Sequence, residues 1–153
     1  EHASMKVFDL IGYAITATSP NEALPNQFFL EKDKVVINRD RQLSTAIDLL
    51  NTIEGGYEKP SQPKFNLGGS AVRDKMFEKL EALYNENKIL DHGLEVGKQI
   101  AFVLSGGNTN IDNELSEDDL YNLELEAFMR LIQMPKTQER IKHTLETGKP
   151  LVN

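Results

Sequence analysis

Apolar residues recur at helical spacing over much of the chain, and one clear case begins at Asp40. Its apolar members are Leu43, Ala46, Ile47, Leu50 and Ile53. Because an α-helix has 3.6 residues per turn, residues three and four positions apart lie on one face. Asp40 is a suitable N-cap, and Gly55-Gly56 supplies a left-handed stop. The pattern predicts an amphipathic helix between these two signals.

Two further helices are predicted after residue 69. The first, which Ser70 can cap, has its apolar positions at Val72, Met76, Phe77, Leu80, Leu83 and Tyr84. The second follows a break near Asp91 and covers residues 94–104, ending at Gly106-Gly107. Because the connection is short, we expect these two helices to pack antiparallel.

The last two predicted helices have the strongest start and stop signals. Ser116-Glu117-Asp118-Asp119 resembles a capping box with acidic residues at the positive end of the helix dipole. The stripe that follows consists of Leu120, Leu123, Ala127, Phe128, Leu131 and Ile132. Pro135 then forces a break, and a final helix runs to Gly148.

The first forty residues carry weaker signals. Residues 7–18 mix apolar and small side chains without a clear period. Ser19-Pro20-Asn21-Glu22 is typical of a turn that opens a short helix. Residues 34–38 are dense in β-branched side chains and predict one minor strand.

Prolines and glycines divide the chain into parts. Residues 57–69 hold Pro60, Pro63, Gly68 and Gly69 with little periodicity, so we predict an extended linker between residues 1–56 and residues 70–153. The expected fold class is mostly α, with about five helices and one minor strand. Residues 70–153 are expected to form a helical bundle.

Charge and composition narrow the possible partners. Seventeen Lys and Arg against 24 Asp and Glu give a net charge of −7, which repels nucleic acids and anionic membrane surfaces. The absence of cysteine excludes disulfides and thiolate metal sites and fits a reducing compartment. The apolar runs are far shorter than the roughly 20 residues of a bilayer span, and no signal peptide is recognisable. We expect a cytoplasmic protein with no nucleic-acid or membrane partner.

The start of the chain allows two interpretations, because it has no initiator methionine. Either a tag remnant precedes Met5, or the chain is a fragment of a longer protein.

The candidate binding motifs are incomplete. The glycine pairs at 55–56, 68–69 and 106–107 do not fit a phosphate-binding loop, and helix C-caps explain them better. Residues 108–112 carry oxygen ligands at alternate positions, as a calcium loop does. However, Asn113 stands where that loop needs glycine, and Asp119 stands where it needs glutamate. A calcium site is therefore disfavoured.

No catalytic set emerges from the titratable residues. His2, His92 and His143 are isolated, without a second ligand at metal spacing. The carboxylates at positions 117–119, 124 and 126 are typical of solvated helix faces. We expect no catalytic, cofactor-binding or metal-binding residue in this chain.

One stretch is locally basic, with Lys136, Arg140, Lys142 and Lys149 close together. It would suit a phosphate-bearing ligand or an acidic neighbour. A solvated helix face with cations toward its C-terminal end is the favoured interpretation.

Several stretches, in the same order along the chain, resemble one family. They are IGYAITATS (11–19) with NEA (21–23), DKVVINRDR (33–41), LSGG (104–107), EDDLYNLELEAFMRL (117–131), TQERI (137–141) and LETGKPLVN (145–153). Together they resemble the C-terminal end of bacterial multifunctional 3-hydroxyacyl-CoA dehydrogenases. In that family a crotonase-type enoyl-CoA hydratase domain follows the NAD-binding dehydrogenase part.

This resemblance implies an enzyme of fatty-acid β-oxidation, an oxidoreductase and lyase that uses NAD and acyl-CoA. It also implies that the dinucleotide fingerprint, the catalytic histidine region and the hydratase glutamates lie upstream. No catalytic residue is carried over, and the fragment alone is expected to be inactive. By the habit of the family, Lys149 or Arg140 would bind CoA weakly. The rest of the parent enzyme is the expected partner, with acyl-CoA bound only in the full-length context.

Without a hydratase core, the apolar stripe of the Asp40 helix has nothing to cover it, so a homo-oligomer is a further expectation. Two other functions stay open. One is a free-standing helical adaptor whose grooves bind a partner helix, and the other is an uncharacterised small enzyme.

Overall fold

Helices dominate this computed structural model, which describes residues 2–53, 55, 57–109 and 112–153, without the side chain of His2. The described α-helices are α1 His2–Gly12, α2 Pro20–Ala23, α3 Gln42–Asn51, α4 Gly69–Asn85, α5 Asp91–Leu104, α6 Glu117–Leu131 and α7 Pro135–Thr147. A 3₁₀ turn at Arg39–Arg41 precedes α3. Two short strands are β1 Lys64–Phe65 and β2 Leu115–Ser116. The mostly α class is confirmed.

The chain folds as two units. One unit consists of the chain up to Ile15 together with Gln62–Asn153, and the other is Thr16–Ser61. The first unit therefore contains α1 and α4–α7, and the second contains α2 and α3. The predicted division at residues 57–69 stays a prediction. None of the helices in the described part of the chain is long and apolar enough to cross a membrane.

The core of the first unit forms where α4 packs against α5 and α1 packs on both of them. Its buried residues are Phe8, Val72, Met76, Leu80, Leu94 and Ala101. The stripe predicted for α4 is thus confirmed at Val72, Met76 and Leu80. Helix α6 also packs against α5.

Gly97 allows α4 and α5 to approach closely. A Cβ atom at position 97 would lie 2.5 Å from Cδ2 of Leu80, well inside the van der Waals distance. Any side chain at this position would therefore force Leu80 to move.

Helix α1 is an element that periodicity did not predict. Residues 7–18 have no clear hydrophobic period in the sequence, yet the helix extends to Gly12. Phe8 is buried against α4 and α5, and Met5 packs beside it. Contacts with distant residues therefore stabilise a helix whose own pattern is weak.

The minor strand predicted at residues 34–38 is wrong. These residues adopt no regular structure, and the Ile37 side chain is 98% exposed. β-branched residues favour a strand only where another strand can accept the backbone hydrogen bonds. The two described strands are instead Lys64–Phe65 and Leu115–Ser116, and they pair with each other in antiparallel orientation.

Two of the predicted N-caps are also corrected. Asn38 caps the turn before α3, because its Oδ1 accepts a 3.0 Å hydrogen bond from Asp40 N–H. Asp40 therefore lies inside the turn and does not cap the helix. Helix α4 begins at Gly69, after Gly68, so that Ser70 is already helical.

The second half of the chain agrees with prediction at most helix ends. The capping box is confirmed, because Asp119 N–H donates to Ser116 Oγ at 3.2 Å and Ser116 N–H donates to Asp119 Oδ2 at 2.8 Å. Helix α7 begins at Pro135 and ends at Thr147, and Gly148 caps it in the left-handed conformation with a φ of +68°. Phe128 is an exception, because it lies beside the core-facing stripe and is half exposed.

The apolar stripe of α3 is a separate finding. No residue of this helix is buried, and Leu43 and Leu50 are 72% and 67% exposed. Burial of such side chains would contribute about 1.5–3 kcal/mol each. This face is therefore available to a partner.

Candidate functional site

An apolar cavity of about 180 Å³ lies among α1, α4 and α5. Its apolar lining includes Phe8, Leu80, Leu83, Ile89, Val96 and Ile100. The polar side chains at its edge are Asp9 and Lys79, which form an ion pair with each other, and Arg140. The cavity is smaller than the roughly 300 Å³ typical of a small-molecule site.

Arg140 is held by the end of the chain. Its Nε donates to Asn153 Oδ1 at 2.8 Å, and its Nη2 donates to Asn153 O at 3.3 Å. Asn153 Nδ2 in turn donates to Lys136 O at 3.1 Å and to Glu139 Oε2 at 2.9 Å. This donor set is occupied within the protein, which weakens the phosphate interpretation of the basic stretch.

The other cations of that stretch do not converge. Lys142 lies 3.9 Å from Glu146 on the exposed face of α7, and the Lys149 backbone N–H donates to Thr147 Oγ1. The structure thus fits the interpretation of a solvated helix face, with Arg140 as a residue that fastens the chain terminus.

A second apolar concavity is the groove between α1, α5 and α6, of about 420 Å³. It is lined by Val7, Leu67, Val103, Leu104, Leu120 and Tyr121, among others. Glu124 is the charged residue on this lining. The sequence did not predict this groove, since it depends on α1.

His92 is the most unusual titratable group in the described part of the chain. Its side chain lies at the start of α5, is only 4% exposed, and its Nε2 lies 2.9 Å from Thr137 Oγ1 on α7. Burial lowers the pKa of His92, and the nearby positive charges of Arg140 and Lys136 lower it further. The sequence indicated only an isolated histidine, because its pairing with α7 is a tertiary contact.

Two described side chains of the disfavoured calcium motif form hydrogen bonds with other residues of the chain. Asn108 Oδ1 accepts a 3.1 Å hydrogen bond from Arg73 Nη1, while Asn110 and Ile111 lie outside the described residues. Asp119 accepts from Ser116 in the capping box, and these hydrogen bonds lower the pKa of its carboxyl group. Among the described residues, no group of three or more His, Asp or Glu side chains is placed to hold a metal.

Two of the other carboxylates that the sequence singled out, Glu117 and Glu126, form contacts within α6. Glu126 forms an ion pair with Arg130 one turn later, and Glu117 accepts a 3.1 Å hydrogen bond from Tyr121 OH. Arg130 also lies over the Phe102 ring, 5.0 Å from its centroid. The contacts of Glu126 and Glu117 lie within α6, whereas the contact between Arg130 and Phe102 joins α6 to α5.

Sequence comparison finds a curated relative. The chain is 30% identical over 153 residues to a probable 3-hydroxyacyl-CoA dehydrogenase from Bacillus subtilis strain 168, a match that covers 99% of the chain. This match supports a relationship to 3-hydroxyacyl-CoA dehydrogenases. The chain spans 19% of that relative's length. No protein-family model and no solved structure matches the chain.

The Gly68-Gly69 pair has the order of a phosphate loop but not its open space. Gly68 and Gly69 follow β1 and open α4, which is the order that a phosphate loop requires. However, a Cβ atom at Gly68 would lie 2.1 Å from Cγ2 of Val72, so the Val72 side chain fills the space beside this glycine. The Gly69 N–H donates a 3.0 Å hydrogen bond to Ser105 O. The name of the relative mentions no hydratase, so the fusion stays a prediction.

Proposed function

We propose that this chain is the C-terminal helical part of a larger cytoplasmic enzyme of fatty-acid β-oxidation, a 3-hydroxyacyl-CoA dehydrogenase fused to a crotonase-type enoyl-CoA hydratase. In that enzyme it has a structural role and supplies no catalytic residue. The observation that carries the proposal is the similarity to the Bacillus subtilis protein along 99% of the chain. NAD and acyl-CoA are bound by other parts of the parent.

The arrangement of side chains supports a structural role. His92, Arg140 and Asp119, the polar groups with the most specific surroundings, each bond to a neighbouring helix, the chain terminus or a cap. An acyl-transfer or hydride-transfer site needs polar groups directed toward a substrate. These three side chains are directed toward other residues of the chain.

Activity measurements on the chain alone test the absence of catalysis. We expect no hydration of crotonyl-CoA and no NAD-dependent oxidation of 3-hydroxyacyl-CoA. Turnover in a preparation shown by mass spectrometry to lack full-length enzyme would contradict the proposal.

The reading frame upstream of Glu1 tests the parentage. An open frame that encodes a dehydrogenase and a hydratase supports the proposal, and a start at Met5 preceded by unrelated sequence contradicts it. In the encoded longer protein, Met76→Ala should lower the inactivation temperature without changing kcat of the folded fraction. Leu145→Ala, at an exposed position, is the matched control.

The groove between α1, α5 and α6 favours a second candidate, the helical adaptor. Its apolar lining suits the apolar side chains of an amphipathic helix from another protein. The same reading-frame experiment distinguishes the two, because an adaptor is encoded as a free-standing chain.

A further inference from the structure

Two exposed helix faces in this chain have the same spacing and opposite charge. On α6 the exposed residues Glu117, Tyr121, Leu125 and Phe128 follow one another at intervals of four, four and three. In and before α3, the exposed residues Arg39, Leu43, Ile47 and Leu50 follow at the same intervals. We call these the α6 face and the α3 face.

The α6 face is distinct from the side of α6 that packs on the core. At about 100° per residue, its centre lies roughly 110° around the helix from the centre of the stripe of Leu120, Leu123, Ala127 and Leu131. Ala127 on that stripe is buried, whereas Tyr121 and Leu125 are 57% and 58% exposed. Helix α6 is therefore apolar on two sides, and α5 covers only one of them.

When two helices run in the same direction, charge favours a contact between an α3 face and an α6 face over a contact between two identical faces. The α6 face begins in the acidic first turn of its helix, with Glu117, Asp118 and Asp119. The α3 face begins at Arg39, in a turn that consists of Arg39, Asp40 and Arg41 and carries a net charge of about +1 at neutral pH. Arg39 forms no ion pair within the described part of the chain. Two α6 faces laid side by side in the same direction would place like charges together, as would two α3 faces. An α3 face laid on an α6 face places Arg39 opposite Glu117.

We propose that two copies of this chain associate by packing the α3 face of one copy against the α6 face of the other, with the helices parallel. In this register Leu43 lies opposite Tyr121, Ile47 opposite Leu125, and Leu50 opposite Phe128. Residues at these intervals repeat on one side of a helix, so all three apolar pairs are buried together. The proposal goes beyond the proposed function, since it concerns how the chain binds itself.

Cysteine cross-linking tests the register directly, because the chain contains no cysteine. Leu43→Cys and Tyr121→Cys are made as separate variants, mixed, and oxidised under mild conditions. We expect the mixed disulfide to form at least about tenfold faster than either homodimeric disulfide, as expected for paired positions whose Cβ atoms come within reach. Leu145→Cys, at a position that is 83% exposed on α7, measures random collision.

Charge exchange provides an independent measurement. Arg39→Glu and Glu117→Arg should each weaken self-association up to about fivefold per ion pair, and an equimolar mixture should restore it. Leu125→Asp should weaken it at least about tenfold, because a charge would be buried. Mass is followed by light scattering, and circular dichroism checks that each variant is folded.

Three results would overturn the proposal. The first is a mass of 17.3 kDa at every concentration tested. The second is a homodimeric Leu43→Cys disulfide that forms as fast as the mixed one. The third is a mixed disulfide that forms no faster than the disulfide between Leu145→Cys chains.

Discussion

The imidazole Nε2 of His92 on α5 lies 2.9 Å from the hydroxyl oxygen of Thr137 on α7, and this hydrogen bond joins the two helices. The ring is almost fully buried, and Lys136 and Arg140 lie near it on α7. Asp91 and Glu95 lie near it on α5, and Glu139 on α7. The histidine that contacts α7 is therefore a buried group whose pKa is lowered from its ordinary value.

The first prediction concerns pH. Because burial lowers the pKa of His92 in the folded protein, the unfolded chain binds more protons once the pH falls below its ordinary value of about 6.5. The free energy of unfolding should therefore decrease as the pH falls from 7.5 to 5. Urea unfolding at several pH values measures this decrease.

His92→Gln is the matching variant for this prediction, since it removes the titrating group and keeps a neutral polar side chain. The decrease in the free energy of unfolding below pH 6.5 should become smaller in His92→Gln and stay unchanged in His143→Gln. An unchanged pH dependence in His92→Gln would show that other groups cause it.

The second prediction concerns the approach of α4 to α5. Gly97→Ala should lower the free energy of unfolding by about 1–3 kcal/mol, because the new methyl group overlaps Leu80 Cδ2. In a protein that already carries Leu80→Ala, Gly97→Ala should lower the free energy of unfolding by much less. Thermal unfolding of the four proteins of this double-mutant cycle measures the coupling free energy between positions 97 and 80. Additive effects would mean that the methyl group is accommodated elsewhere.

The third prediction concerns the start of α6. Ser116→Ala removes the acceptor for Asp119 N–H and should lower the free energy of unfolding by about 1 kcal/mol at pH 7. The hydrogen bonds from Ser116 lower the pKa of Asp119, so their stabilising effect is present at neutral pH and lost as the pH falls through that pKa. The difference between the two proteins, measured by urea unfolding, should therefore shrink in acid. Ser116→Thr, which keeps the cap, should remain close to the original protein.

The fourth prediction compares two apolar residues that sequence alone treats alike. Met76 is fully buried, so Met76→Ala should lower the free energy of unfolding by about 2–5 kcal/mol. Leu43 is exposed, so Leu43→Ala should change the stability by less than about 0.5 kcal/mol in dilute solution. Chemical denaturation at low protein concentration measures both. A large cost for Leu43→Ala under these conditions would mean that its face is covered.

The helical character of the chain and several helix limits were predictable, because they depend on local chemistry. The stripe of Val72, Met76 and Leu80 specifies which side of α4 is buried. Ser116, Pro135 and Gly148 fix helix ends through hydrogen bonds and backbone angles that involve only neighbouring residues. The resemblance to dehydrogenases was likewise visible in the order of short stretches.

What lies far apart in sequence was not predictable. Helix α1 exists because Phe8 finds a site between α4 and α5, and residues 34–38 form no strand because none is beside them. The His92–Thr137 contact spans 45 positions.

The sequence alone thus determined a mostly α chain with amphipathic helices and no complete catalytic motif, since these features follow from spacing and composition. Only the tertiary structure decided which apolar stripes are covered. Burial depends on what packs against a face, and an α3 stripe with ordinary helical spacing remains exposed while an equally ordinary α4 stripe forms the core.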